Sequence, residues 1–146
     1  MGITFSEKIF AKKSGKKKVF PGEFVSAKVD GGLANDATSP ILWKAYESME
    51  VNHPVTFPEG FIIYFDHFIP APTVLAATQH QKIREFYRKY REFNIKLSDV
   101  GMGSHLQLPI DTGQCRPGML FVGADSHTLM IGGIGAFATG VGSTEM

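Results

Sequence analysis

Two uninterrupted apolar runs, Phe61-Ile62-Ile63-Tyr64-Phe65 and Met119-Leu120-Phe121-Val122, constrain the fold of this chain more than any other feature. Neither keeps the polar face that a surface helix shows, and their length and aromatic content suit strands buried on both sides. Strands of that kind belong to parallel sheets, and the alternation of strand and helix signals along the chain predicts a three-layer α/β/α fold with a mainly parallel sheet. Each run leads directly into an acid-histidine string: Asp66-His67 after the first, and Asp125-Ser126-His127-Thr128 soon after the second. Ligands of open α/β folds sit at the carboxyl ends of such strands.

The remaining elements are predicted around these two. Thr4-Phe5-Ser6-Glu7 has the spacing of a capping box, with Phe5, Ile9 and Phe10 as an apolar face and Gly15 as a stop. Residues 23–30 alternate through Val25, Ala27 and Val29 as a strand would, and Gly31-Gly32 reads as its end. Asn35 to Pro40 has the composition of a helix start, backed by Ile41, Leu42, Ala45 and Met49. Pro54 to Gly60 reads as a connector. From about Thr73 to Phe93, Val74, Ile83, Phe86, Tyr87, Tyr90 and Phe93 form an apolar helical stripe that Asn94 can end. The glycine-rich tail from Ile131 to Gly142 favours close backbone packing, and its Gly-Ser-Thr-Glu end reads as a helix just beginning. The whole is expected to be one domain, cut short where that helix begins.

Charge and cysteine content narrow the function classes. A net charge of +1 gives no reason to expect a nucleic-acid or membrane partner. Six lysines between Lys8 and Lys18 read as a solvated helix end, with binding of phosphate or anionic lipid as the alternative. The single cysteine, Cys115, permits no internal disulfide and no site built on several thiolates. With neither an apolar run long enough for a membrane span nor a signal sequence, a reducing cytoplasm is the expected location.

Three of the five histidines, His67, His105 and His127, stand beside acids or small residues in loops. A histidine oriented by a carboxylate is an acid or base that titrates near neutrality. Asp66 and His67 suit that use, with a helix-capping aspartate as the plainer reading. Gly103-Ser104-His105 lets backbone approach a ligand, although a loop histidine can equally be a solvated one. Ser126 beside His127 is not read as a nucleophile and base, because vicinal residues seldom meet as a triad does and no Gly-x-Ser-x-Gly occurs. His53 and His80 are expected outside the site, one in the connector and the other on the polar face of the long helix. No standard ligand spacing supports a protein-held metal.

Asn35 to Pro40, Asp66 to Pro70, Gly103-Ser104-His105, Gly123 to Thr128 and Gly135 to Met146 together resemble the aconitase superfamily, most nearly its isopropylmalate dehydratase and homoaconitase branch. The resemblance covers this whole chain but only the N-terminal part of the family's proteins. It implies dehydration and rehydration of a small hydroxy acid at a [4Fe-4S] cluster. It further implies Asp66 with His67 as the pair that assists loss of the hydroxyl, and His105 with Asp125 as the pair near the iron-bound water. His127 would complete the wall, Ser126 would contact substrate, and Asn35 and Asp36 would lie on the substrate side. The family's three cluster cysteines follow the Asp-Ser-His-Thr block by some distance and Cys115 matches none, so this chain alone is expected to hold no cluster and to be inactive. The substrate arginines and a serine base are likewise expected elsewhere, some of them on a small partner subunit. Leu129-Met130 departs from the family pattern and bears on which hydroxy acid is preferred. The alternative is a non-catalytic truncated relative acting as a binding or assembly module.

Overall fold

The computed structural model describes residues 2–51 and 57–146. His53 and the first part of the connector therefore lie outside the described residues. Five parallel strands form one sheet in the order β3-β2-β1-β4-β5, where β1 is Gly31–Asn35, β2 Phe61–Tyr64, β3 Ile95–Ser98, β4 Leu120–Gly123 and β5 Phe137–Gly140. The predicted α/β architecture is what forms.

The first helix, α1 (Phe5–Ser14), starts at the predicted capping box. Thr4 Oγ1 accepts from the Glu7 amide while the Glu7 carboxylate accepts from the Thr4 amide, and Gly15 closes the helix in a left-handed conformation. Helices α2 (Ser39–Ser48) and α3 (Val74–Tyr90) cover one sheet face, where Leu42, Trp43, Ile83 and Phe86 pack on Ala34, Phe61, Ile63 and Ile95. Trp43 stacks flat on Phe86 with ring centroids 3.6 Å apart. The other face carries Leu33, Ile62, Tyr64 and Phe121 beneath Ile131 and Met119, with the short helix α4 (Leu108–Asp111) beside them. The alternation 61, 63, 65 against 62, 64 assigns each β2 side chain to its face, as the pleat requires.

Three sequence expectations need correction. The segment 23–30 is extended and turns Val25, Ala27 and Val29 partly inward, but it forms no ladder and leaves Phe24 fully exposed. The central strand instead begins at Gly31-Gly32, where glycine is a packing requirement. A Cβ on Gly31 would lie 2.6 Å from the Phe121 ring and one on Gly32 2.5 Å from the Phe57 ring. Ile41 in α2, Met49 just past its end and Val74 in α3 are exposed, and in α2 Trp43 is buried instead. The glycine-rich stretch, read only as a place of close packing, contributes 3-10 turns over 128–134 and then edge strand β5, which with β3 had no expectation attached. Its end makes a single helical turn in which the Met146 amide donates to the Gly142 carbonyl. Among the described residues, no helix is long and apolar enough to cross a membrane.

Candidate functional site

The chain runs from β1 outward through β2 to β3 and then returns to the other side of β1 as β4. That reversal opens a crevice beyond the carboxyl ends of β1 and β4, the position at which sheets of this order receive ligands. Asn35 ends β1, Asp66 and His67 leave β2, His105 lies in the loop after β3, and Asp125 to His127 leave β4. Residues separated by up to 92 positions thus converge by topology alone.

His105 is the hub. Its Nδ1 lies 2.6 Å from Asp66 Oδ2 and its Nε2 3.1 Å from Asp125 Oδ1, while its amide also donates to Asp66 Oδ2 at 2.5 Å. Asp66 Oδ1 accepts from His67 Nδ1 at 2.8 Å, so one carboxylate orients two imidazoles. Asn35 Nδ2 closes the ring of contacts, 3.3 Å from Asp125 Oδ2 and 3.4 Å from His67 Nε2. The Asn35 amide cannot be turned round, because its Oδ1 accepts from the amides of Ala37 and Thr38 at 3.0 Å each. His127 donates its backbone amide to Asp125 Oδ1 at 2.8 Å, and its side chain, 76% exposed, stands at the mouth.

These contacts set the charges. A ring nitrogen facing a carboxylate must carry a proton to bond it, so both nitrogens of His105 donate and the ring is an imidazolium. Burial alone would push the His105 pKa down, but the bonds to Asp66 and Asp125 outweigh it and raise it. Burial likewise works against the Asp66 carboxylate, yet the His105 ring and amide and the His67 ring hold it down at about 2. Asp125 is lowered for the same reason: the His105 ring and the His127 amide outweigh the effect of burial. Among the described residues, no lysine or arginine pairs with these carboxylates; the His105 ring supplies the positive charge between them.

The expected site residues do not all reach the crevice. Asp36, expected on the substrate side, is only 1% exposed, and its carboxylate accepts from the amides of Asp66, His67 and Phe68. It fixes the loop after β2 from beneath. Its fourth partner is His80 Nε2 at 3.0 Å, so His80 is not on a polar face but buried under the site. The signal was present in the spacing, since 80, 83, 87 and 90 share one helical stripe. Asn35 reaches the site but is itself fully buried. Ser126 is exposed with Oγ 3.5 Å from His127 Nδ1, too long for an activated nucleophile.

One ligand atom each from Asp66, His67 and His105 lies within 4.8 Å of the others, a donor set that suits a divalent metal. In the structure each of the two histidines is hydrogen-bonded through Nδ1 to a different oxygen of Asp66. Cys115 is no part of this donor set. The thiol packs among Leu33, Ile62 and Phe121 on one sheet face, and burial raises its pKa to about 11, which disfavours the thiolate a metal would need.

Backbone packing fixes the Asp125 loop. A Cβ on Gly140 would lie 2.5 Å from the Asp125 carbonyl oxygen, a contact with main chain that no side-chain rotation relieves. Gly140→Ala is therefore expected to lower stability by about 1–3 kcal/mol and to shift the His127 amide resonance. An unchanged denaturation midpoint with an unshifted amide would show the loop to be free to move.

Comparison with known proteins is consistent with this geometry. Residues 7–146 match the model of the aconitase family (aconitate hydratase). The chain is 47% identical over 146 residues to a 3-isopropylmalate dehydratase large subunit of Thermodesulfovibrio yellowstonii, covering 99% of this chain and 34% of that protein. The corresponding subunit of Aquifex aeolicus is 45% identical over 148 residues, covering 100% of this chain and 33% of its own. Large subunit 1 of Pyrococcus furiosus is 44% identical over 146 residues, with 99% and 34% covered. The chain thus spans about a third of the length of the curated relatives it matches.

Proposed function

The chain belongs to the aconitase family, and on that premise we propose that it forms one wall of a hydro-lyase active site acting on a hydroxy acid of the 3-isopropylmalate type. The observation that carries this reading is the Asp66 carboxylate shared by His67 and His105, with Asp125 closing the group. Such a cluster stores and delivers protons beside a bound anion, which is what elimination and addition of water require.

In this reading His67 Nε2 gives a proton to the departing hydroxyl, which leaves as water, and the reverse hydration returns that proton. Its Nδ1 is tied to Asp66, which leaves Nε2 with two long contacts, Asn35 Nδ2 at 3.4 Å and Asp125 Oδ2 at 3.9 Å. The His105 imidazolium, bonded through both ring nitrogens, holds Asp66 and Asp125 in fixed positions around the site. Asn35 sets the separation of His67 and Asp125. His127 and Ser126, both exposed, contact substrate at the mouth.

A [4Fe-4S] cluster, when bound, would supply the Lewis acid that accepts the hydroxyl. The residues of this chain do not fit it: three thiolates are needed, and the one cysteine is a buried thiol. We assign its ligands, the arginines for the substrate carboxylates and the serine base to the remainder of a longer parent protein and to a small partner subunit. The test compares two preparations under anaerobic reconstitution with iron and sulfide. The parent protein with its small subunit is expected to hydrate the unsaturated diacid, seen as loss of alkene absorbance. The 146-residue chain is expected to take up no stoichiometric cluster and to turn over nothing. Cluster assembly on the short chain, or a loaded parent without hydro-lyase activity, would each overturn the proposal.

A further inference from the structure

Resting on that reading, we propose that His80 is a positioning residue for the Asp66-His67 pair, acting through Asp36 from beneath the site. The Asp36 carboxylate makes four hydrogen bonds: with the three successive amides of Asp66, His67 and Phe68, at 3.2, 2.9 and 2.8 Å, and with His80 Nε2 at 3.0 Å. Three of these partners belong to the loop that must be held still. The fourth comes from α3 and is the only one of them that ties the carboxylate to a different element. His80 is 5% exposed and packs on Phe65, the last residue before the pair, with ring centroids 4.6 Å apart.

Geometry makes the consequence specific. A carboxylate held by loop amides alone can swing with the loop, whereas one also held from a packed helix defines where the loop sits. Phe68 and His80 share Oδ2, and Asp66 and His67 share Oδ1, so the loop holds both oxygens and the helix fixes one of them. The same loop position aims His67 Nδ1 at Asp66 and brings Asp66 Oδ2 to His105. His80 touches none of the proton-carrying atoms. It fixes the anion that fixes the amides that aim them. Arg84, one turn further along α3, binds Asp99 and lies over the Phe65 ring without reaching the amide partners of the Asp36 carboxylate.

Substitution at residue 80 separates positioning from mere packing. His80→Met keeps bulk without a donor, while His80→Gln places its amide nitrogen close to where the imidazole Nε2 stood. In the isotopically labelled chain, His80→Met is expected to raise hydrogen exchange of the 66–68 amides about tenfold or more, since a bond to a charged group is lost. His80→Gln is expected to restore them to within about twofold, and Ile83→Val, a core change in the same helix, to leave them unmoved. In the parent protein with its cluster, His80→Met is expected to lower kcat with little change in KM, and His80→Gln to recover it. Unmoved amides in His80→Met, failure of the glutamine rescue, or an equal response to Ile83→Val would overturn the role. A wild-type parent without hydro-lyase activity would instead overturn the functional reading, while the amide measurements would still decide the role of His80.

Discussion

His67→Asn in the cluster-loaded parent protein is expected to lower kcat by about 10²–10⁴-fold, the usual contribution of a positioned acid or base. The asparagine amide can still reach Asp66 in place of Nδ1, so the loop and the Asp66-His105 bond survive the change. What disappears is the second nitrogen, the one near Asn35 and Asp125. KM should move far less than kcat, because substrate carboxylates are held by other groups, and the cluster absorption should be untouched. An unchanged kcat would remove His67 from the chemistry and leave it a structural partner of Asp66. The companion change Asp66→Asn should cost more than proton exchange, since Asp66 also accepts from the ring and amide of His105. Kinetics and thermal stability should therefore part company for His67→Asn and fall together for Asp66→Asn.

How far such a site can be read from sequence depends on which physical signal each part leaves. Strands buried on both faces announce themselves as apolar runs, so β2 and β4 were legible, and with them the places where Asp66-His67 and Asp125-Ser126-His127 emerge. Strand β1 was not, because its first two residues are glycines that read as a break. Their cause is long-range, the rings of Phe57 and Phe121 occupying the space of a side chain. Edge strand β3 alternates weakly, with Lys96 exposed and Leu97 half-buried, and β5 is hidden among small residues and glycines. Short edge strands are defined by their neighbours more than by their own pattern. The histidine strings gave the candidates, yet they could not say which carboxylate each ring meets. Asp66 looked like the partner of His67 alone; it serves His105 as well, 39 residues away. The family resemblance implied a substrate-side place for Asp36 together with Asn35, but at the end of a strand consecutive side chains point to opposite sides. One turned into the crevice and the other beneath it.

The hub makes a second large effect calculable in sign. His105→Leu removes both ring donors and leaves Asp66 Oδ2 and Asp125 Oδ1 facing each other across an apolar side chain, a loss expected to cost about 3 kcal/mol of stability. The pH dependence follows from the directions of the shifts. Asp66 is lowered from its ordinary 3.8 to about 2, so its contribution is present above 3.8 and is lost as pH falls toward 2. Asp125 is lowered as well and adds to that acid limb. His105 is raised above its ordinary 6.5, so its contribution is complete below 6.5 and is lost as pH rises through the raised value. The stability difference between wild type and His105→Leu, measured by urea unfolding across pH, should therefore be greatest between about 4 and 6.5 and shrink on both sides. Adding Asp125→Asn to His105→Leu should restore part of the loss, with a coupling of about 1–3 kcal/mol, because the unpaired charge is then gone. A difference that stays flat with pH, or strict additivity in the double variant, would mean that His105 is held by packing and is not an imidazolium between two carboxylates.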